Sequence, residues 1–271
     1  MRPRVRGLAC LHMSKDKKPP RPVRRATVVR TEVVAPDMVR VIFSGAELRT
    51  LPELTKTDHY IKFQFGDVTR TYTVRWFDRE KNEMAVDFVI HGDAGLAGPW
   101  AAGTQPGDEI SFAGPGGKWA PSADADVHLL VGDEAAIPAI AAALDSLPEG
   151  AVAKVFIEVA TAGHHQDLRQ TSRTQITWVH RDEHQTADGR KLGYGEALTL
   201  AVMRAGIPEG RVEAFVHGNA DMIKPLRRFL FKQAELPRDQ VSISGYWRTG
   251  MDEDGWQSSK SEFNAAMESE D

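Results

Sequence analysis

The chain has 271 residues, a formal net charge of −4 and a single cysteine, Cys10. No internal disulfide can form, and the mild acidity lacks the basic face that a nucleic-acid partner requires. No apolar run approaches the ~18 residues of a membrane span, so no membrane insertion is expected, and the cysteine count suits the cytoplasm.

Residues 1–22 carry Arg2, Arg4, Arg6, Lys15, Lys17, Lys18 and Arg21, and read as a disordered basic tail. The stretch 23–121 then alternates short strand-like runs with turns, the pattern of a small antiparallel barrel. Ala26–Arg30 and Met38–Ser44 make a hairpin around Ala35-Pro36-Asp37. Tyr60–Phe65 alternates strictly and ends at Gly66-Asp67.

Arg70-Thr71-Tyr72-Thr73-Val74-Arg75 is the stretch richest in chemistry. Period-2 alternation puts Arg70, Tyr72 and Val74 on one face, with Thr71, Thr73 and Arg75 on the other. A guanidinium is a rigid fork for phosphate, a tyrosine ring offers a flat apolar surface, and a threonine hydroxyl can bond a ring nitrogen. Together these residue types suit a flavin dinucleotide. An ordinary half-buried barrel strand has the same alternation. Met84–Ile90 is a further strand, followed by His91 and the glycine-rich run Gly95-Leu96-Ala97-Gly98-Pro99-Trp100-Ala101. Pro99 is suited to a first helical position, and free amides at a helix start bind phosphate. Glu109–Ala113 is the last barrel strand, and Ala120–Asp126 reads as a linker.

From Val127 the pattern changes to apolar strands alternating with helices, which means a parallel sheet. The strands are Val127–Val131, Ala153–Val159, Gln175–His180, Val212–His217 and Val241–Ser244. Helices are expected after Pro138 through about Leu147, over Gly195–Arg204 and over Asp221–Lys232. Ligands of such sheets bind beyond the carboxyl ends of the strands. That edge holds Asp133, Glu134, Ala135, Thr161, Ala162, Arg181, Gly218 and Asn219. No G-x-G-x-x-G occurs. The histidines at 164, 165, 180 and 184 are not read as a metal site, since no helix carries a ligand pair. Residues 250–271 read as an acidic tail, with 262–271 at most a loose helix.

The ordered set Arg70–Arg75, Asp87–Gly92, Pro99-Trp100-Ala101, Pro106-Gly107-Asp108, Gly114-Pro115, Gly132–Pro138, Thr177–Arg181 and Gly245-Tyr246-Trp247-Arg248 resembles the ferredoxin–NADP reductase superfamily. Within it, the chain resembles the siderophore-interacting family of ferric-siderophore reductases. The resemblance implies an FAD-binding antiparallel β-barrel (23–121) and an α/β parallel-sheet nicotinamide domain (122–249). Arg70, Tyr72, Thr73, Arg75, His91, Gly95, Ala97, Gly98, Trp100, Ala101, Tyr246 and Trp247 would contact FAD. Asp133, Glu134, Ala135, Arg181, Gly218 and Asn219 would contact NADPH or NADH. Electrons would pass from NAD(P)H, or from a ferredoxin, through FAD to siderophore-bound Fe(III) in a monomeric enzyme with no catalytic side chain and no protein-bound metal. Lys62, Lys118, Arg181 and Arg248 are candidates for an anionic chelate. Two departures stand out: relatives often carry a serine before the tryptophan of the glycine-rich run, and usually a glutamate where Asn219 stands. A flavin or quinone reductase on the same fold, and a siderophore binder without redox work, stay open as alternatives.

Overall fold

A computed structural model of the chain describes residues 22–90, 95–186 and 188–269. Six strands, β1 (Val23–Ala35), β2 (Met38–Ser44), β3 (Tyr60–Phe65), β4 (Val68–Asp78), β5 (Glu83–Val89) and β6 (Glu109–Gly116), close into an antiparallel barrel. Their order around it is β1-β2-β5-β4-β3-β6. The alternation in β3 shows why: Ile61 and Phe63 are fully buried, while Tyr60, Lys62 and Gln64 are half-exposed. Phe43, Phe63, Phe88 and Phe112 fill the interior. Helix α1 (Ala97–Gly103) packs on this cluster through Trp100, which lies parallel to Phe43 at 6.3 Å. The helix begins at Ala97, two residues before the expected start. Pro99 is tolerated there because first-turn amides have no helical partner.

β4 pairs with β3 along Val68–Thr73 but meets β5 only from Val74 onward. A register shift follows between Val74 and Trp76, and such a bulge redirects the side chains beyond it. The other edge of Arg70–Thr73 is therefore open.

The second unit is a parallel sheet in the order β11-β10-β7-β8-β9. Its strands are β7 (Val127–Gly132), β8 (Val152–Val159), β9 (Thr174–His180), β10 (Val212–Asn219) and β11 (Val241–Trp247). Helix α2 (Ile137–Ser146) covers Leu130, Val155 and Ile157 on one face. Helices α3 (Glu196–Ala205), α4 (Ala220–Arg228) and α5 (Glu253–Ser269) cover Leu129, Val131 and Val216 on the other. Strand order reverses between β7 and β10, which makes their carboxyl ends the ligand crevice of a doubly wound sheet. Gly132 sits there because a Cβ would lie 2.4 Å from that of Ala136 and 2.8 Å from the His217 carbonyl.

Three further elements differ from expectation. β11 runs on to Trp247. The helix after β10 stops being α-helical at Arg228 and continues as a π-turn, Phe229–Gln233, just past Pro225. A proline inside a helix removes one hydrogen bond and crowds the preceding turn. The expected acidic tail is the 17-residue helix α5, anchored by Trp256 (1% exposed) and Met267, with Phe263 against the sheet core. Residues 256, 260, 263 and 267 recur at helical spacing and form one stripe. His91 and the basic stretch 1–21 lie outside the described residues.

Candidate functional site

A cleft of about 1300 Å³ lies where the barrel, the sheet ends and α5 meet. A pocket for one small ligand measures about 300–1,000 Å³, so this one has room for more than a single molecule. The barrel contributes Lys62, Arg70, Thr71, Tyr72 and Thr73, with Gly95, Leu96, Ala97 and Gly98 before and at the start of α1, and Lys118 after β6. The sheet contributes Glu134, Ala135, Arg181, His217, Tyr246 and Trp247. Glu253, Trp256 and Lys260 come from α5.

The Tyr72 ring is fixed against Phe88, with centroids 4.3 Å apart, and burial pushes its phenol pKa up. Across the cleft Tyr246 shares a hydrogen bond with Thr73 and is likewise pushed up by burial. The open edge of β4 takes anionic oxygens. The Thr71 amide donates to both carboxylate oxygens of Glu253, at 3.0 and 3.1 Å. Arg70 Nη1 donates to Asp254 at 3.0 Å and to the Thr69 carbonyl at 2.9 Å. The Thr71 hydroxyl is buried with no partner among the described residues. An unsatisfied hydroxyl beside an anion-accepting amide and guanidinium fits the polar chain of a flavin dinucleotide, so the residues present fit FAD.

Burial pushes the Glu253 carboxyl up, against the hydrogen bonds from Thr71 and the charges of Arg70 and Lys62; burial pushes the Lys260 amine down, a fall that Glu253 opposes and Lys62 deepens. The Lys260 ammonium also donates to the Gly245 carbonyl at 2.7 Å. Burial pushes His217 down to about 3, so its imidazole is neutral, with Nε2 sharing a hydrogen bond with the Ser242 hydroxyl at 2.9 Å.

At the switch point Asp133 is buried rather than presented to the cleft. Its carboxylate accepts from the amides of Ala135 (3.0 Å) and Asn219 (2.8 Å) and from Trp247 Nε1 (2.8 Å). Burial, then the Glu134 charge, raise it to about 7. Gly218 has φ 137°, and a Cβ there would lie 2.6 Å from Asp133. Asn219 caps α4, accepting from the Asp221 amide at 2.7 Å, and donates to Thr249 at 2.9 Å. Asp133, Gly218 and Asn219 thus frame the crevice and orient Trp247; they do not line it, contrary to the expectation of nicotinamide contact.

Other corrections follow from partners the sequence does not show. Arg75, expected at the pyrophosphate, lies past the open edge and pairs with Asp145 of α2 at 2.6 Å. Trp100 packs in the barrel core and Ala101 is buried, so neither lines the cleft. Arg248, a substrate candidate, pairs with Asp221 at 3.1 Å and lies over the Phe263 ring. Arg181 does line the cleft, but Glu134 holds it at 2.8 and 3.3 Å and Glu158 at 3.3 Å, with Tyr194 stacked 4.0 Å from its guanidinium. Glu253, Trp256, Lys260 and His217 were missed. For α5 the signal was the spacing of Trp256, Phe263 and Met267 beneath an acidic composition.

Two family models match the chain: the siderophore-interacting FAD-binding domain over residues 66–119 and the siderophore-interacting protein over residues 125–250. Ferric vibriobactin reductase ViuB of Vibrio cholerae is 30% identical over 84% of this chain and 90% of its own. The crystal structure of a siderophore utilization protein from T. fusca is 32% identical, with a TM-score of 0.75 over 88% of this chain and 97% of that one. The siderophore-interacting protein SipS from Aeromonas hydrophila is 26% identical, with a TM-score of 0.77 over 91% and 99%. A closed antiparallel barrel joined to a doubly wound sheet, with the cleft between them, is the architecture of a ferredoxin-reductase-like, FAD-dependent oxidoreductase. The chain belongs to the siderophore-interacting protein family within that superfamily. Among the described residues no helix is long and apolar enough to cross a membrane.

Proposed function

We propose that the chain is a ferric-siderophore reductase that passes electrons from a nicotinamide nucleotide through FAD to chelated Fe(III), releasing the metal as Fe(II). The observation that carries this reading is the large cleft between barrel, sheet ends and α5. It brings the open edge of β4, the carboxyl ends of the sheet and the cations Lys62 and Lys260 around one space larger than a single ligand. The names of the relatives support the acceptor.

FAD, when bound, accepts a two-electron hydride and hands electrons on singly, as reduction of two Fe(III) requires. The chain's residues hold and screen it. Arg70 and the Thr71 amide, which engage Asp254 and Glu253 here, would hold the phosphates, while Tyr72, braced by Phe88, and the Tyr246–Thr73 pair would hold the ring region. Trp247, tied by Nε1 to Asp133, keeps the sheet side covered. Lys62, Lys118 and Lys260 give the acceptor side the positive charge that draws an anionic chelate. Hard oxygen donors favour Fe(III), so reduction loosens the chelate and no protein ligand for iron is needed. In this reading residues 23–121 form the FAD unit and 122–249 the nicotinamide unit, and the monomer works in the cytoplasm, where the donor pool is reduced.

The test is an anaerobic spectrum of the purified protein, titrated with nucleotide and then with a ferric siderophore and a ferrous trap. Flavin absorbance that bleaches with nucleotide and recovers with the chelate, as the ferrous complex appears, is the expected result. Bleaching that ignores ferric chelates but recovers with quinones points to a general flavin reductase. A protein that takes up no FAD overturns the reading.

A further inference from the structure

We infer that the nicotinamide donor is NADH, and that the chain rejects NADPH by surrounding the place of its 2′-phosphate with carboxylates. The inference rests on the proposed nicotinamide-fed reaction. A second cavity of about 680 Å³ adjoins the main cleft, and Arg190, Tyr194, Glu196, Thr199, Asp221 and Thr249 are among the residues that line it. Tyr194 lines both spaces, stacked on Arg181 on one side and edge-on to Trp247 at 5.1 Å on the other. The second cavity lies beside the N-terminal turns of α3 and α4, past the carboxyl end of β10. A dinucleotide that crosses the switch point, with its nicotinamide in the main cleft, places its adenosine half there. Thr199 supports an occupant: it is 7% exposed, lines this cavity, and its hydroxyl has no partner among the described residues.

Charge decides which adenosine fits. The α3 amides of Gly195 and Leu198 already donate to Glu158, at 2.8 and 3.4 Å, so the anion-binding end of that helix is filled by the chain's own carboxylate. Arg190, the one cation among the described residues lining this cavity, is held by Glu196 at 3.1 Å. The neighbouring arginines are also engaged: Arg181 by Glu134 and Glu158, Arg248 by Asp221. A 2′-phosphate would enter a lining of two carboxylates, Glu196 and Asp221, against one cation, Arg190, and could reach that cation only by displacing Glu196. A 2′-hydroxyl can instead donate to one of those carboxylates, the arrangement by which an acidic residue selects NAD over NADP.

The experiment uses FAD-saturated protein, so that the flavin site is not available to the probes. Calorimetric titration with adenosine 5′-monophosphate and with adenosine 2′,5′-bisphosphate reads the adenosine end without turnover. The monophosphate is expected to bind about tenfold or more tightly, since like charges brought together at a site repel. Asp221→Asn, which removes one carboxylate and releases Arg248 at the surface, is expected to narrow that ratio by strengthening the bisphosphate. Equal or tighter binding of the bisphosphate to the unmodified protein, or no binding of either probe, overturns the inference. Anaerobic flavin bleaching separates the two readings. Bleaching that is more efficient with NADPH overturns the NADH assignment and leaves the proposed reaction standing. A flavin that neither nucleotide bleaches brings both down.

Discussion

Arg70 and Arg75 occupy the same strand, five residues apart, and do different work because β4 changes neighbours between them. Arg70 lies on the open edge and spends one nitrogen, Nη1, on Asp254 and the Thr69 carbonyl. Asp254 is largely exposed, and such pairs are worth about 0–1 kcal/mol, so the guanidinium is not locked away from a ligand. Arg75 lies beyond the pairing change and is held by Asp145 across the two units. Arg70→Ala is therefore expected to raise the FAD dissociation constant about 10–100-fold, the worth of about 1.5–3 kcal/mol for a charge-assisted contact. Arg75→Ala should leave it nearly unchanged. Arg70→Lys should fall between, because the charge survives and the fork does not. Flavin fluorescence after equilibrium dialysis measures all three. Full occupancy in Arg70→Ala would remove Arg70 from the cofactor site. From the sequence the two arginines looked equivalent, since alternation predicts a face and says nothing about which edge of a strand is unpaired.

At the scale of elements, β3 was legible to the residue because one face is buried and the other wet, so the period-2 signal is undiluted. The parallel strands were legible for the opposite reason: β7 is buried along its whole length and reads as a continuous apolar run. Helix α5 was not legible. Its composition is acidic, and the three large apolar residues that hold it down are spread over 12 positions, from Trp256 to Met267. Yet α5 supplies the acidic turn on the β4 edge and the Lys260 amine of the cleft. Trp256 is the anchor: its ring lies 2.8 Å from where a Cβ on Gly245 would stand, so the glycine and the tryptophan define one packed joint. Trp256→Ala should cost about 3–5 kcal/mol, as for other fully buried aromatics, provided α5 stays docked in the native state. If α5 instead detaches, the global loss is smaller and residues 251–269 become open to protease. Urea unfolding together with limited proteolysis distinguishes the two. A variant with unchanged stability and unchanged protease resistance would mean that α5 is held elsewhere.

The whole molecule carries a net charge of −4, yet the proposed substrate is an anionic chelate, so attraction must come from where the cations sit and not from how many there are. Lys62 and Lys260 both line the cleft where β3, β4 and α5 meet; burial lowers the Lys260 amine, Glu253 opposes that fall and Lys62 adds to it. The acids Glu134 and Glu158 are bound to Arg181 on the sheet side. The amines of the cleft thus lie toward the barrel and α5, with Lys260 also donating to the Gly245 carbonyl. Attraction of this kind reaches about one Debye length, ~10 Å at 0.1 M salt, and weakens as salt rises. For an anionic ferric chelate, kcat/KM should therefore fall several-fold between about 0.02 and 0.5 M salt, from a Debye length near 20 Å to under 5 Å, while kcat stays level. An uncharged ferric chelate of similar size should show little slope. Lys62→Ala should flatten the anionic slope without altering flavin content, because Lys62 has no hydrogen bond or ion pair that supports the fold among the described residues. The same slope for both chelates, or a Lys62→Ala enzyme with an unaltered slope, would show that the acceptor approaches by another face of the molecule.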